Sequence, residues 1–254
     1  MKLAILLLLI GLVSRADSVP ITAASGSKDL HVVATCGGCD FVMTTEGQLV
    51  RSDPQVTCSP TNCTGTLKLN GLGLTSLAPD VFDSMTNLQS LDLGNNKLLN
   101  LTAGVFDTLT SLQALNLKFA GMATLTAGIF DNVPALEMLY MSNNKLQTLP
   151  PGIFDFSKNI KWLDLNNNII DTLPMGVFDP LLSLERLDLP NNKLKGLPTG
   201  FFNKVPSLRY LWLYGNPFDC QITIPGYVDY HVDSSYYSLP LCGTVNAFLH
   251  RYAY

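Results

Sequence analysis

The chain is poor in charge: Asp, Glu, Lys and Arg make up 14% of its 254 residues, against about a quarter in ordinary globular domains. It also lacks a basic surplus, with 16 Lys+Arg against 20 Asp+Glu and a formal charge of −4. Loss of Lys2 and Arg15 with an N-terminal leader leaves 14 against 20, or −6. Nucleic acid and anionic membranes both reward clustered cations, so neither is an expected partner. Histidine is scarce. His31, His231 and His250 lie towards the two ends, with no nucleophile motif or metal-ligand spacing beside them, so no enzyme activity, metal or cofactor is expected. Apolar runs of membrane-spanning length, about 20 residues, are missing as well. The longest, Leu3 to Val13, follows Lys2 and precedes the small residues Ser14 and Ala16, the pattern of a secretory leader cut after Ala16. No lipid-anchor signal ends the sequence. The expected product is a secreted, extracellular monomer without a membrane anchor.

What is present is a period. Leu88, Leu112, Leu136, Ile160, Leu184 and Leu208 recur every 24 residues without insertion or deletion. Each unit reads as Leu88, Leu91, Leu93, Asn96, Leu98, Leu101 and Phe106 do, the signature of a leucine-rich repeat. In a short strand, side chains alternate, so Leu91 and Leu93 point inward while Ser90, Asp92 and Gly94 point out. Apolar residues at i, i+3 and i+5 do not keep a helical period, so a helix per unit is not the reading of this segment. One unit cannot cover its own leucines, and stacked neighbours share one core. The expected fold is an α/β solenoid: a leucine-rich-repeat horseshoe with a parallel β-sheet on its concave face and disulfide-bonded caps at both ends.

Two ladders follow from the spacing. Asn96, Asn144, Asn168, Asn192 and Asn216 sit where the chain leaves the strand, and each buried amide should bond the backbone of adjacent turns. Phe82, Phe106, Phe130, Phe154, Phe178 and Phe202 should stack beneath the convex side. An earlier unit from Thr64 carries Leu72 in the asparagine slot, and the unit from Leu112 carries Ala120 there, after Phe119. The expected division is a leader over 1–16, an N-terminal segment and cysteine cap over 17–63, repeats over 64–207, and the last repeat strand with a C-terminal cysteine cap over 208–254.

Cys36, Cys39, Cys58 and Cys63 precede the repeats, and Cys220 and Cys242 follow them, where a solenoid must cover its open ends. An exported chain makes disulfides the expected chemistry rather than a zinc site. Four cysteines allow three pairings; Cys36 with Cys58 and Cys39 with Cys63 is the favoured one, and Cys220 should pair with Cys242. Asn62 and Asn100 open N-x-T glycosylation sequons.

The cysteine-bounded ends, the phrases Leu101-Thr102-Ala103-Gly104-Val105-Phe106-Asp107 and Leu149-Pro150-Pro151-Gly152-Ile153-Phe154-Asp155, and Tyr214-Gly215-Asn216-Pro217-Phe218-Asp219-Cys220 together resemble the variable lymphocyte receptors of jawless vertebrates, from Cys36 to Cys242. The resemblance implies a horseshoe that binds antigen on its concave face and with a loop of its C-terminal cap. The chain departs from that family. Gln221 and Ile222 follow Cys220 where the family usually has Cys-x-Cys, only Cys242 remains as a partner, and 18 residues separate Cys39 from Cys58. The threonine-rich, cysteine-containing stalk is missing too. The expected relationship is that of a secreted relative.

The outward positions of the repeat strands supply the candidate ligand-binding residues: Lys68, Asp92, Asn116, Tyr140, Trp162, Asp164, Arg186, Asp188, Tyr210, Trp212 and Tyr214. Seven strands at about 4.8 Å make a face roughly 30 Å long, enough for ~800 Å² per partner. Tyr140 and Trp162 are expected to be exposed hot-spot side chains, and Asp164 and Asp188 to form a solvated acidic patch. Tyr210, Trp212 and Tyr214 face the alternative of packing against the cap. That cap adds Tyr227, Tyr230, His231, Ser234, Ser235, Tyr236 and Tyr237, a mixture that resembles a paratope loop. The expected function is immune-type recognition of a protein or glycan, such as microbial surface components. A matrix or regulatory protein that binds a host protein is the alternative.

Overall fold

The computed structural model describes residues 31–53, 58 and 63–233. Its strands run β1 (His31–Cys36), β2 (Cys39–Met43), β3 (Gln48–Arg51), β4 (Gly65–Lys68), β5 (Ser76–Leu77), β6 (Leu88–Asp92), β7 (Ala114–Asn116), β8 (Met138–Tyr140), β9 (Trp162–Asp164), β10 (Arg186–Asp188), β11 (Tyr210–Trp212) and β12 (Asp229–His231). The 24-residue period becomes one parallel sheet in the order β12-β11-β10-β9-β8-β7-β6-β4. Its register pairs equivalent slots, as Leu139 with Leu163 and Leu163 with Leu187. Leu91, Leu115, Leu139, Leu163, Leu187 and Leu211 are fully buried, and one continuous core runs from Cys39 to Val228.

The asparagine ladder forms as expected. Asn168 Oδ1 accepts from Leu146 N–H (3.1 Å), and its Nδ2 donates to Met141 O and Leu165 O, each at 3.0 Å. Asn96, Asn144, Asn192 and Asn216 repeat the arrangement. The phenylalanine ladder is also there: Phe82 through Phe202 are at most 1% exposed, with ring centroids 6.2 Å apart for Phe82–Phe106 and Phe130–Phe154. Phe41 of β2 extends it into the N-terminal cap at 6.4 Å from Phe82.

The return arms are turns, and no helix occurs among the described residues. Val105 N–H bonds Thr102 O and Asp107 N–H bonds Gly104 O, three-residue steps that do not propagate. Glycine explains why. Gly152 takes φ +72°, and a Cβ there would lie 2.9 Å from Asp155 Oδ2; a left-handed residue in each arm ends any helix at once.

A second sheet, β1-β2-β3-β5, closes the N-terminal end. Here the structure corrects the favoured cysteine pairing: the bonds are Cys36–Cys63 and Cys39–Cys58. The hairpin explains it. Cys36 faces Cys39 across β1 and β2, while β3 lies on the far side of β2 from β1. The chain leaves β3 at Arg51, whose Nη1 lies 3.5 Å from Cys58 Sγ, so Cys58 meets the nearer strand's Cys39 and Cys36 is left for Cys63. Cys220 is also disulfide-bonded. Cys242, its expected partner, lies outside the described residues, as do residues 1–30, Asn62, Tyr236 and Tyr237.

Candidate functional site

Parallel in-register pairing stacks outward side chains into columns. One column runs Ala114, Met138, Trp162, Arg186, Tyr210, and the next runs Asn116, Tyr140, Asp164, Asp188, Trp212. Because neighbouring columns lie within reach of each other, an unlike residue in each slot produces a cross-strand lattice. The Trp162 indole N–H donates to Asp188 Oδ2 at 2.8 Å. Arg186 Nε donates to the same carboxylate at 2.9 and 3.0 Å, and its guanidinium lies 4.5 Å from the Trp162 ring centre and 5.5 Å from that of Trp212. Lys118 Nζ reaches Asp164 at 2.9 Å and sits 4.6 Å above the Tyr140 ring. Tyr140 meets Trp162 edge-on, with centroids 5.2 Å apart.

The expected solvated acidic patch does not exist. Asp164 is 2% exposed and Asp188 4%. A carboxylate in that position must be compensated, and Lys118 with Asn166 and Arg186 with Trp162 supply the compensation. Tyr140 and Trp162, expected to stand free, are half-buried covers over these two acids. Burial, and then the Asp164 charge, raise the Tyr140 phenol above its usual range, with Arg186 opposing. The lattice therefore presents ring edges and cationic rims rather than a pair of open carboxylates.

The last strands resolve the second open point. Trp212 stacks on His231 at 3.9 Å, and that histidine belongs to β12, which continues the sheet as an eighth parallel strand. Trp212 thus packs against the cap, while Tyr210 and Tyr214 are 48% and 41% exposed. Tyr227 is exposed and Tyr230 half-buried. At the other end Lys68 is exposed, and Asp92 accepts from Asn116 Nδ2 at 2.9 Å. Asn100 is exposed on the flank. Sequence reading missed Lys118, although it stands in the third outward column beside Gly94 and Ser142. It also missed the strand nature of 229–231, which no 24-residue spacing announces. Among the described residues no cluster could hold a metal ion, and no helix is long and apolar enough to cross a membrane.

The family model for leucine-rich repeats matches residues 65–120, 121–170 and 158–218. The chain belongs to the leucine-rich-repeat family. Its solved structural neighbours include Toll-type receptors. A chain in the crystal structure of the TLR13–ssRNA13 complex is 25% identical with a TM-score of 0.60, over 69% of this chain and 25% of that one. A chain in the structure of the Toll–Spatzle complex, described as a hub in Drosophila development and innate immunity, is 21% identical with a TM-score of 0.52, over 65% and 27%. This leucine-rich-repeat chain therefore spans about a quarter of the length of either neighbour. No curated protein matches the sequence.

Proposed function

We propose that this leucine-rich-repeat protein is a secreted recognition protein of innate-immune type, which binds a protein or glycan ligand, microbial surface components foremost, on its concave sheet from β8 to β12 and on the adjoining cap. One observation carries the reading: Tyr140, Trp162, Arg186 and Trp212 form a continuous aromatic and cationic surface across neighbouring strands. Trp, Tyr and Arg dominate binding energy where they are held rigid at low entropy cost, and here buried Asp164 and Asp188 hold them. The Nε of Arg186 is used by Asp188, which leaves its Nη groups to donate to an acceptor on the ligand. The two disulfides suit an oxidising compartment. The leader over 1–16 and the sequon at Asn100 support secretion. Tyr236 and Tyr237 stay candidates for ligand contact on their residue type alone.

The test is binding of the secreted protein to whole bacteria and to purified wall components, beside pull-down from a host secretome. Saturable binding to the microbial material, lost in Arg186→Ala with Trp212→Ala, is the expected outcome. Binding to a host protein alone assigns the chain to matrix or regulatory work instead.

A further inference from the structure

The unit that starts at Leu112 breaks the repeat pattern at Phe119 and Ala120 and carries two further small residues close by, Gly121 and Ala123. Phe119 replaces the outer asparagine found at Asn95, Asn143, Asn167 and Asn191; Ala120 replaces the ladder asparagine; Gly121 stands where Lys97, Lys145 and Lys193 stand; and Ala123 stands where neighbours carry Leu99, Gln147 and Asp171. The first of these changes strains the backbone. Phe119 takes φ 55°, a left-handed conformation that suits asparagine but strains a bulky side chain, and the ring remains 52% exposed.

The backbone stitching fails at the same junction. Elsewhere each ladder asparagine accepts from a residue 22 positions earlier, as Leu74, Met122, Leu146 and Ile170 N–H show. The following residue then bonds back across the same junction, as Lys97 N–H to Leu74 O, Lys145 N–H to Met122 O and Lys193 N–H to Ile170 O. Among the described residues, neither bond joins Leu98 to the unit of Ala120 and Gly121. Space opens beside Ala123. A groove of about 560 Å³ lies beside Ala123, walled by Leu125, Leu149, Pro150, Pro151 and Ile169. Leu99, 57% exposed, leans over Gly121, where a Cβ would meet its Cδ2 at 3.6 Å. On either side of Gly121 stand Lys97 and Lys145, both exposed and without an ion pair to any described residue.

Strain, exposed apolar surface and lost hydrogen bonds in one place, with no compensating contact among the described residues, mark a site kept for something outside it. We propose that this flank is a second interaction surface, separate from the concave sheet, which docks a segment of a partner protein carrying an apolar side chain beside a carboxylate. The apolar side chain enters the groove at Ala123 and Ile169, and the carboxylate lies against Lys97 or Lys145. The groove joins an apolar lining to the bordering cation of Lys145, which suits an apolar side chain of a peptide beside a carboxylate.

The experiment is selection of a library of random short peptides against the full secreted chain, followed by affinity measurement on the selected peptides. Expected are peptides that pair Phe, Leu or Met with Asp or Glu. Their affinity should fall at least ~tenfold for Ala123→Lys, which fills the groove, and for Lys97→Glu with Lys145→Glu. It should be unchanged for Trp162→Ala, so that failure here and failure of the concave-face reading are told apart. Phe119→Asn with Ala120→Asn restores the repeat pattern and should raise the melting temperature while weakening the peptides, which removes misfolding as an explanation. Peptides without that composition, or peptides indifferent to Ala123→Lys, overturn the proposal. Dodecanoate binding lost in Ala123→Lys without any selected peptide assigns the groove to a lipid, and concentration-dependent dimers lost in Ala123→Lys assign it to a second copy; either result overturns it too.

Discussion

The ladder carbonyls are shared, and that sharing predicts a specific non-additivity. Met141 O accepts from both Asn144 (2.9 Å) and Asn168 (3.0 Å), and Leu165 O accepts from both Asn168 and Asn192, each at 3.0 Å. In Asn168→Ala each of these carbonyls keeps one donor, and the group left without a partner is Leu146 N–H. One orphaned buried donor costs about 1–3 kcal/mol. Taking about 2 kcal/mol, the melting temperature falls by about 4–8 °C for a domain of this size. In Asn168→Ala with Asn192→Ala, Ile170 N–H is orphaned as well, and Leu165 O now loses both donors. The double variant should therefore exceed the sum of the singles by roughly 1–2 kcal/mol. Asn96 and Asn216 share no carbonyl, so that pair should add to within ~0.5 kcal/mol. Urea unfolding followed by far-ultraviolet circular dichroism and by tryptophan fluorescence reads both quantities, and coincident curves check that one transition is being measured. An unchanged stability in Asn168→Ala, or additivity in the adjacent pair, refutes the shared-carbonyl account.

Three further outcomes follow from the same geometry. Trp162→Phe keeps the ring over the sheet but removes the donor to Asp188; it should cost about 1.5–3 kcal/mol, the scale for a hydrogen bond to a charged group, read as a shift of the urea midpoint, and no shift means that Asp188 is satisfied without the indole. Peptide mapping of the protein without reduction should find Cys36 joined to Cys63, Cys39 to Cys58, and no free thiol; a Cys36–Cys58 peptide contradicts the hairpin argument. Tyr140 holds its proton more tightly folded than unfolded, so the stability it contributes is intact below its unfolded value near 10 and declines as pH rises from there through its higher folded value; Tyr140→Phe should flatten stability against pH in that alkaline window, and an identical slope in both proteins denies the shift.

How far the sequence could be read depends on whether a position's fate is set by its slot or by its neighbours. The inward leucines, the ladder asparagines and the phenylalanines are fixed by slot, because each repeats the same environment, and they fold as the period implies. Asp164 and Asp188 are different. Alternation sends both outward, yet Lys118, Arg186, Tyr140 and Trp162 close over them, a consequence of which unlike residues happen to be adjacent after folding rather than of any single strand's pattern. The cysteine pairing has the same character: β2 lies between β1 and β3, and the position of β3 decides which thiol Cys58 meets. Strand β12 lies beyond the last full repeat, where no periodicity remains to announce it.

That distinction bears on where function resides in a repeat protein. A residue that obeys its slot is accounted for by stacking, since any neighbour would ask for the same one. Information about a partner can only be written in slots that the stack leaves free, or in slots where the stack's demand is refused. The concave columns are the first kind, left open by the stack although their residues are coupled to one another, and their aromatic and cationic content between β8 and β12 lies in that freedom. Phe119 and Ala120 are the second kind. Asparagine at 120 would satisfy Leu98 N–H, and asparagine at 119 would take the left-handed backbone without strain, so Phe119 and Ala120 are adjacent departures from what stacking alone favours.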